Sequence, residues 1–594
     1  MTDADTTPPQ LETRPAARIH SEWVVAPRAP GEFFAALPGL HPLLAQVLHA
    51  RGYQSPEQVA QFLDDAAADG DPSGLIDMDR AVDRIARAIQ AGEKVAVYGD
   101  YDCDGVTACA LLRATLERLG ADAREYFPNR FDEGYGLHAT ALDTLKAEGV
   151  SLVITVDCGA RAMREAEHAR EIGLDLVITD HHELEGGAVP NACAVINPKR
   201  PDCPYPYKTL AGVGVAYRLA QALSRALGGP PVDDPLDLVA LGTIADVVPL
   251  TGENRWLVQA GLKRMNTQPR LWVKALMDAA GVAPGAVTAT TVGFTLAPRL
   301  NAAGRLDTAR NAYDLLMTRE SEWASELAVA LNKRNAQRQA ITAQTASRAE
   351  AEAIQSDQGV APPLLFATLD DTAEDRDQRI AGVIGLAAAR LVERYYRPAI
   401  VVAVANGEGR GSCRSIDGFH ITGALDACHD LLVRYGGHAA AAGFTARAEH
   451  LAALRERLLQ IAARQQPQAG WSRVIRADAE IQLDKFTFQS YEALQRLEPH
   501  GMGNPRPVFV ARNLQVRQAQ RIGRAEDGQS PPHLRARLRD ARGAVWDAVG
   551  WRMGDHAPQF VEGAQIDLAF QVDLNEWQGQ KRLQLTIIDW RPRN

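Results

Sequence analysis

Leu174-Asp175-Leu176-Val177-Ile178-Thr179-Asp180-His181-His182 is a short apolar run, rich in β-branched residues, that ends in a carboxylate and two imidazoles. Two other stretches share the design: Val95-Ala96-Val97-Tyr98-Gly99-Asp100-Tyr101-Asp102-Cys103-Asp104 and Leu152-Val153-Ile154-Thr155-Val156-Asp157. Runs of this length and composition read as buried parallel strands. In an open α/β sheet, ligands gather at the carboxyl ends of such strands. Three strand ends bearing Asp, one with adjoining His, therefore place several metal ligands along one edge.

Around these runs, strand and helix patterns alternate from about 75 to 250, the mark of a doubly wound α/β fold. The pattern predicts helices over 78–90 and 106–119, with strands near 94–98, 123–127, 152–156, 175–179 and 194–197. Ser55 and Pro56 mark a helix start. Helical sequence dominates 209–345. The stretch 319–358 has no Gly or Pro and reads as a long connecting helix, either solvated or lining a groove between domains. A second, smaller α/β unit covers about 362–465. Beyond 470, five strands are expected near 508–510, 534–538, 544–549, 566–572 and 583–588, with a turn at 575–580. Five short strands suit a small barrel such as an OB fold. The expected division is a flexible segment 1–38, a catalytic domain with N-terminal helices 39–318, the connecting helix 319–358, a second domain 359–468 and the barrel 469–594.

A chain of 594 residues is too long for one core. Its 46% hydrophobic and 23% charged residues are those of a globular protein. No apolar run is long enough to span a bilayer, so no membrane association is expected. The start Met1-Thr2-Asp3-Ala4-Asp5 lacks a signal core, and seven cysteines without finger spacing fit a reducing cytoplasm. Cys103 and Cys158 read as small packing residues. The net charge of −10 argues against binding a polyanion with the whole surface. Residues 471–594, however, carry 18 Lys+Arg against 15 Asp+Glu, or +3, leaving −13 for the remainder. A mildly basic module sits on an acidic body.

Asp100, Asp102 and Asp104 recur at every second residue, so an extended backbone would project them to one side. Carboxylates this close demand a raised pKa or a cation. Mixed carboxylate and imidazole ligands favour Mn²⁺ or Mg²⁺, and the number of acids suits two ions. Asp246, in the apolar stretch Leu241-Gly242-Thr243-Ile244-Ala245-Asp246-Val247-Val248-Pro249-Leu250, needs a partner if buried. It reads as a helix cap or as a ligand returning to the sheet edge. Gly212-Val213-Gly214 lacks a third Gly and is expected to be a packing turn, not a dinucleotide site.

The order of these segments resembles the DHH phosphoesterase superfamily. Asp102 and Asp104 match its first motif, Asp157 the second, Asp180-His181-His182 the third and Asp246 the fourth. Longer stretches resemble the RecJ family of bacterial single-strand-specific 5′→3′ exonucleases. They are Tyr98–Gly105, Asn129-Arg130-Phe131-Asp132-Glu133-Gly134-Tyr135-Gly136-Leu137, Ala297-Pro298-Arg299-Leu300-Asn301-Ala302-Ala303-Gly304-Arg305 and Gly436-Gly437-His438-Ala439-Ala440-Ala441-Ala442-Gly443-Phe444. The last is a signature of DHHA1-type domains. The resemblance implies a DHH domain joined by a long helix to a DHHA1 domain, plus an OB-like barrel. It implies Asp102, Asp104, Asp157, His181 and Asp246 as ligands of two Mn²⁺ or Mg²⁺ ions, with Asp157 bridging. His182 completes the catalytic set by hydrogen-bonding a ligand or the substrate phosphate. The chain departs from many small DHH phosphatases at Tyr98, where they carry a His ligand. A protonated phenol is a poor ligand, which leaves Asp100 either as the substitute or as an orienting loop residue.

Arg130 and a loop bearing Arg299, Asn301 and Arg305 are candidate phosphate clamps, weighed against surface salt bridges. The expected loop Gly409-Arg410-Gly411-Ser412-Cys413-Arg414-Ser415 combines glycines, hydroxyls and arginines that can cradle an anion. Ser412 and Arg414, with Arg130 contributing, are the candidate pocket for a 5′ phosphate, and His438 faces the same cleft. Arg535, Arg537 and Arg539 form one basic strand face; Trp546, Trp551 and Trp577 are available for stacking on unpaired bases. A solvated edge is the plainer alternative. The expected activity is metal-dependent hydrolysis of single-stranded DNA from its 5′ end, releasing nucleotides, in repair and recombination. The family implies a single-strand-binding protein and a RecQ-type helicase as partners. The alternatives are an oligonucleotide or cyclic-dinucleotide phosphodiesterase, or a non-catalytic single-strand-binding replication factor. Retention of every ligand argues for an enzyme.

Overall fold

The computed structural model describes residues 21–64, 70–129, 136–306, 308–355, 361–371, 380–524, 531–577 and 579–593. Strand β1 (Ser21–Val25) opens the described chain and is followed by helices Gly31–Ala35, Pro42–Ala50 and Pro56–Leu63. Ser55 caps the last of these through a capping box with Gln58, with Pro56 in its first turn. Residues 21–38, expected to be flexible, are thus ordered. Their composition masked a strand that pairs in parallel with a segment about 450 residues away, which no local pattern could show.

The catalytic sheet follows. Strands β2 (Lys94–Gly99), β3 (Asp122–Tyr126), β4 (Val150–Val156), β5 (Asp175–Thr179) and β6 (Ala194–Ile196) are parallel and ordered β3-β2-β4-β5-β6. Successive strands lie on opposite sides of β2, so the order reverses between β2 and β4. That switch point opens a crevice at the carboxyl ends. One face is covered by helices Met78–Ala91, Cys103–Arg118 and Gly212–Ala226, the other by Ala139–Ala147 and Met163–Glu171. Burial on both faces explains why the strands read as near-continuous apolar runs.

Helices Leu236–Ala245 and Gly252–Thr267 and a π-helical turn, Val292–Leu296, precede helix Ala297–Leu306. The loop expected for Arg299, Asn301 and Arg305 is therefore a helix. Its small residues, Ala302, Ala303 and Gly304, allow close packing. Helix Ser321–Gln355 is 35 residues long. Its first half packs Ala324, Leu327 and Leu331 into the catalytic core, and its second half packs Ala346, Ala349 and Ala353 into the next domain. It is a spine shared by two cores.

Strands β7 (Leu365–Asp370), β8 (Ala399–Ala405), β9 (Glu408–Arg414), β10 (Arg434–Gly437) and β11 (Ala441–Arg447) form a sheet ordered β10-β11-β9-β8-β7. The glycine-rich stretch at 409–414, expected as a loop, is the strand β9. Gly411 is needed there because a Cβ would stand 2.2 Å from the Phe444 ring. Strand β12 (Arg473–Ala477) pairs with β1. The barrel consists of β13 (Ala479–Glu480), β14 (Phe509–Ile522), β15 (His533–Arg539), β16 (Val545–Gly550), β17 (Gln565–Trp577) and β18 (Gln580–Pro592), closed by β14–β17 pairing. The N-terminal helices, grouped by sequence with the catalytic domain, share the barrel's core: Leu44, Val47, Leu48 and Phe62 cluster with Phe509, Leu538 and Phe570. Among the described residues no helix is long and apolar enough to cross a membrane.

Candidate metal centre and substrate cleft

The first motif is a strand–turn–helix, not an extended strand. Asp102 ends the turn after β2 as the N-cap of helix Cys103–Arg118, its Oδ1 accepting from the Asp104 N–H at 2.9 Å and the Gly105 N–H at 3.2 Å. Asp104 lies in the helix's first turn. Its two oxygens accept from the Gly212 and Val213 amides at 2.7 and 2.9 Å, so two helices fix one carboxylate. Asp157 follows β4 with φ 61°, a left-handed conformation uncommon for a residue bearing a Cβ. Gly212 makes room for it: a Cβ there would stand 2.6 Å from Asp157 Cβ and Oδ1. Asp246 is the C-cap of helix Leu236–Ala245 and does return to the sheet edge.

His181 is buried and points its Nε2 at this group, 3.1 Å from Asp157 Oδ1, 3.5 Å from Asp246 Oδ2 and 3.9 Å from Asp104 Oδ2. None of these contacts has the alignment of a hydrogen bond, and Nε2 is shielded from solvent. Asp180 is engaged differently. Its Oδ1 accepts from the His181 and His182 N–H groups and approaches His182 Nδ1 at 2.8 Å, while Oδ2 accepts from Ala160 N–H at 2.7 Å. Asp180 therefore shapes the loop that presents the two imidazoles.

The electrostatics follow from burial. Burial, then the Asp102 carboxylate, pushes the Asp104 carboxyl up to about 7, against the Val213 and Gly212 amides. Burial, then neighbouring carboxylates, raises Asp157 and Asp246 as well. Burial, then the adjacent His182, lowers His181 to about 3, leaving a neutral imidazole with a lone pair to offer. For His182 burial opposes the charge, but the bond to Asp180 and the surrounding carboxylates prevail and raise it to about 9. So many carboxylates beside a neutral imidazole are poorly compatible without cations.

The donor atoms fit such cations. Asp104, His181 and Asp246 each offer one atom within 4.8 Å of the others, as do Asp100, Asp102 and Asp157. Asp157 also groups with Asp180, His181 and His182, so it links the two three-residue sets. Oxygen-rich sets with one imidazole suit Mn²⁺ or Mg²⁺ better than a structural zinc. Tyr98 is buried and donates its phenol to the Gly136 carbonyl at 3.0 Å. The Asp100 carboxylate is grouped with Asp102 and Asp157 instead.

Other expected site residues fall into two groups. Arg305 Nη1 donates to the Gly382 carbonyl at 3.4 Å, reaching from the catalytic domain to the second one. Three residues on, a Cβ at Gly385 would stand 2.8 Å from Ser412 Oγ and 3.1 Å from Arg414 Nη2. Arg305, Ser412 and Arg414 therefore meet around the start of helix Ile384–Tyr395. Arg414 is half-buried, and burial lowers its pKa. Gly304, beside Arg305, packs on the first motif: a Cβ there would stand 2.4 Å from the Tyr101 carbonyl oxygen. Arg299 and Asn301 are engaged internally, Arg299 with Thr295 O at 2.5 Å and Asn332 Oδ1 at 3.1 Å, Asn301 Oδ1 with Cys103 N–H at 2.8 Å. His438 is exposed at the β10–β11 turn. Arg130 lies outside the described residues.

On the barrel, Arg535, Arg537 and Arg539 are all exposed on one face of β15. Arg535 and Arg537 line a concavity with Gln518 and Gln520, and Arg535 lines a neighbouring one with Trp551 and Arg582. Arg537 is paired with Asp547 at 3.0 Å. Trp546 packs edge-on against Phe486 and is partly buried against the barrel core. Trp551 is exposed; the side chain of Trp577 lies outside the described residues. Sequence reasoning missed the part played by Gly212 at Asp157 and by Asn197, whose Nδ2 donates to His182 O at 2.9 Å. The glycine was visible, but its partner was not.

A parallel sheet with a carboxylate–imidazole edge, a spine helix, a second α/β domain and an OB-like barrel define a DHH–DHHA1 phosphoesterase carrying an OB module. Family models agree: DHH family, N-terminal domain, matches residues 94–243, the DHHA1 domain 363–464 and the RecJ OB domain 477–589. The single-stranded-DNA-specific exonuclease RecJ of Bacillus subtilis is 40% identical over 553 residues, 92% of this chain and 68% of that one. Its counterpart in Haemophilus influenzae is 34% identical, covering 92% and 96%. The crystal structure of RecJ from Thermus thermophilus in complex with Mn²⁺ superposes with a TM-score of 0.80 at 30% identity, covering 97% of this chain and 80% of that one. A Mg²⁺ complex of the same protein gives 0.75. The chain belongs to the RecJ family.

Proposed function

We propose that this protein is a metal-dependent exonuclease that hydrolyses single-stranded DNA from its 5′ end, releasing nucleotides. The observation that carries the reading is the convergence of Asp102, Asp104, Asp157, His181 and Asp246 at the switch point, linked through Gly304–Arg305 to the corner where Arg305, Ser412 and Arg414 meet. Asp104, His181 and Asp246 would hold one Mn²⁺ or Mg²⁺ ion, and Asp100, Asp102 and Asp157 a second. Ions bound there would supply Lewis acidity for phosphodiester hydrolysis. Asp180 keeps His182 charged and oriented, and His182 donates to a phosphate oxygen. Ser412, Arg414 and Arg305 receive the 5′ phosphate with the amides that begin helix Ile384–Tyr395. His438 flanks that cleft. Arg535, Arg537 and Arg539 guide the strand along the barrel.

Work in repair and recombination in the cytoplasm, beside a single-strand-binding protein and a RecQ-type helicase that supplies unpaired ends, belongs to the same reading. The test feeds single strands, duplexes and RNA to the protein with Mn²⁺, Mg²⁺ or chelator. Metal-dependent digestion restricted to single strands is expected; equal cutting of duplex would overturn the reading. Arg414→Ala should weaken the preference for 5′-phosphorylated over 5′-hydroxyl strands, and an unchanged preference removes the pocket assignment.

A further inference from the structure

The stretch Asn197-Pro198-Lys199-Arg200 follows β6, the strand paired with the one that leads to Asp180. Its polar side chains are anchored in different directions. Asn197 is fully buried; its Nδ2 donates to the His182 carbonyl at 2.9 Å, and its Oδ1 accepts from the Lys199 N–H at 2.8 Å. One amide side chain thus joins the backbone of His182 to the backbone of Lys199. Arg200 turns the other way and is also buried, with Nη1 donating to Asp77 Oδ2 and the Val195 carbonyl, each at 2.7 Å, and Nη2 to Asp202 Oδ2 at 2.7 Å. The facing loop is held as well, because Arg161 donates to the Glu183 carbonyl at 2.9 Å. Between these fixed neighbours the Lys199 ammonium is partly exposed and stands 3.2 Å from the exposed Glu183 carboxylate. It is near enough to the metal edge for its charge to act on His181 and Asp246. An exposed Lys–Glu pair contributes little by itself, which does not account for a backbone pinned on both sides.

We propose that the Lys199 ammonium binds a phosphodiester oxygen of the substrate strand beside the metal edge, exchanging Glu183 for that oxygen when the strand enters. The inference deepens the exonuclease reading above and rests on it. The ligand is an anion, because an ammonium offers donors and no acceptor, and Glu183 occupies the position that such an anion would take. It is a backbone phosphate because lysine meets phosphate as a point charge, a contact that positions a strand without reading its sequence. The terminal phosphate is assigned to Arg305, Ser412 and Arg414, and the scissile one to the metal groups and His182. The linkages left for Lys199 are those on the 3′ side of the scissile one.

The test is a cycle between side chain and linkage. Lys199→Ala, Lys199→Arg and Glu183→Gln are assayed on 5′-phosphorylated strands, either unmodified or with one neutral methylphosphonate at successive linkages from the 5′ end. Lys199→Ala should lower kcat/KM on the unmodified strand about tenfold, with Lys199→Arg closer to wild type and melting temperatures unchanged. Glu183→Gln breaks the same ion pair but keeps the ammonium, so it should lower KM; a purely structural pair predicts equal losses in Glu183→Gln and Lys199→Ala. At one linkage 3′ of the scissile one, neutralising the phosphate should cost the wild type about as much as removing the ammonium, and the two losses should not add. Wild-type efficiency in Lys199→Ala, equal losses in Lys199→Ala and Glu183→Gln, or fully additive losses at every linkage would overturn the contact while leaving the exonuclease reading intact. A wild-type protein that does not degrade single strands would overturn both.

Discussion

Asp157 sits in a conformation that costs backbone energy: the turn carries the carboxylate between two groups of side chains that could each hold a metal ion, while Gly212 gives it room. Asp157→Ala should abolish cleavage and largely spare DNA binding, measured by nuclease assay and by fluorescence anisotropy of a labelled strand. Mn²⁺ should raise the melting temperature of the wild type and do so far less for this variant. Gly212→Ala places a methyl 2.6 Å from Asp157 Oδ1; an activity loss of about 10–100-fold, as for residues that orient metal ligands, is expected. At this scale the sequence was informative wherever a strand ended in a carboxylate. It was silent on which backbone each side chain would meet, so Gly212 read only as a packing turn. Asn301 read as a phosphate clamp, yet its Oδ1 braces Cys103.

The turn Gly501–Asn504 ties the barrel to the Asp246 segment. Asn504 Oδ1 accepts from Arg51 at 2.5 Å, and the buried Arg255 donates to Leu497 O at 3.0 Å and Arg496 O at 2.9 Å. His500 lies among these groups; burial, then Arg51 and Arg506, lowers its pKa to about 3. An unfolded chain takes up that proton near pH 6.5, the folded one only near 3, so stability is lost as pH falls through this window. The slope for one such group is about 1.4 kcal/mol per pH unit. Melting temperatures in chelator should therefore fall from pH 6.5 to 4, and less steeply in His500→Gln; identical slopes would contradict the assignment. Long periodic elements, such as the helix Ser321–Gln355, were legible because their pattern is local. The β1–β12 pairing and the burial of helix Pro42–Ala50 in the barrel core were not, since both depend on residues more than 400 positions away.

Across the whole molecule, the acidic cluster at the sheet edge and the exposed arginines of β15 match the uneven charge of the sequence. Arg535→Ala should weaken single-strand binding uniformly across sequences and lower the salt slope by about 1. Arg537→Ala should change it less, because Asp547 already pairs that guanidinium. Point substitutions are preferable to truncation at 470, which would strip helices Pro42–Ala50 and Pro56–Leu63 of their core partners. The central claim is that the Asp157-linked ligand sets cut a single strand from its 5′ end. A time course with Mn²⁺ on one strand labelled differently at its two ends tests it most directly. The 5′ label should appear at once as mononucleotide while the 3′-labelled strand shortens progressively, and chelator should stop both. Early release of the 3′ label, or digestion that persists in chelator, would contradict the account.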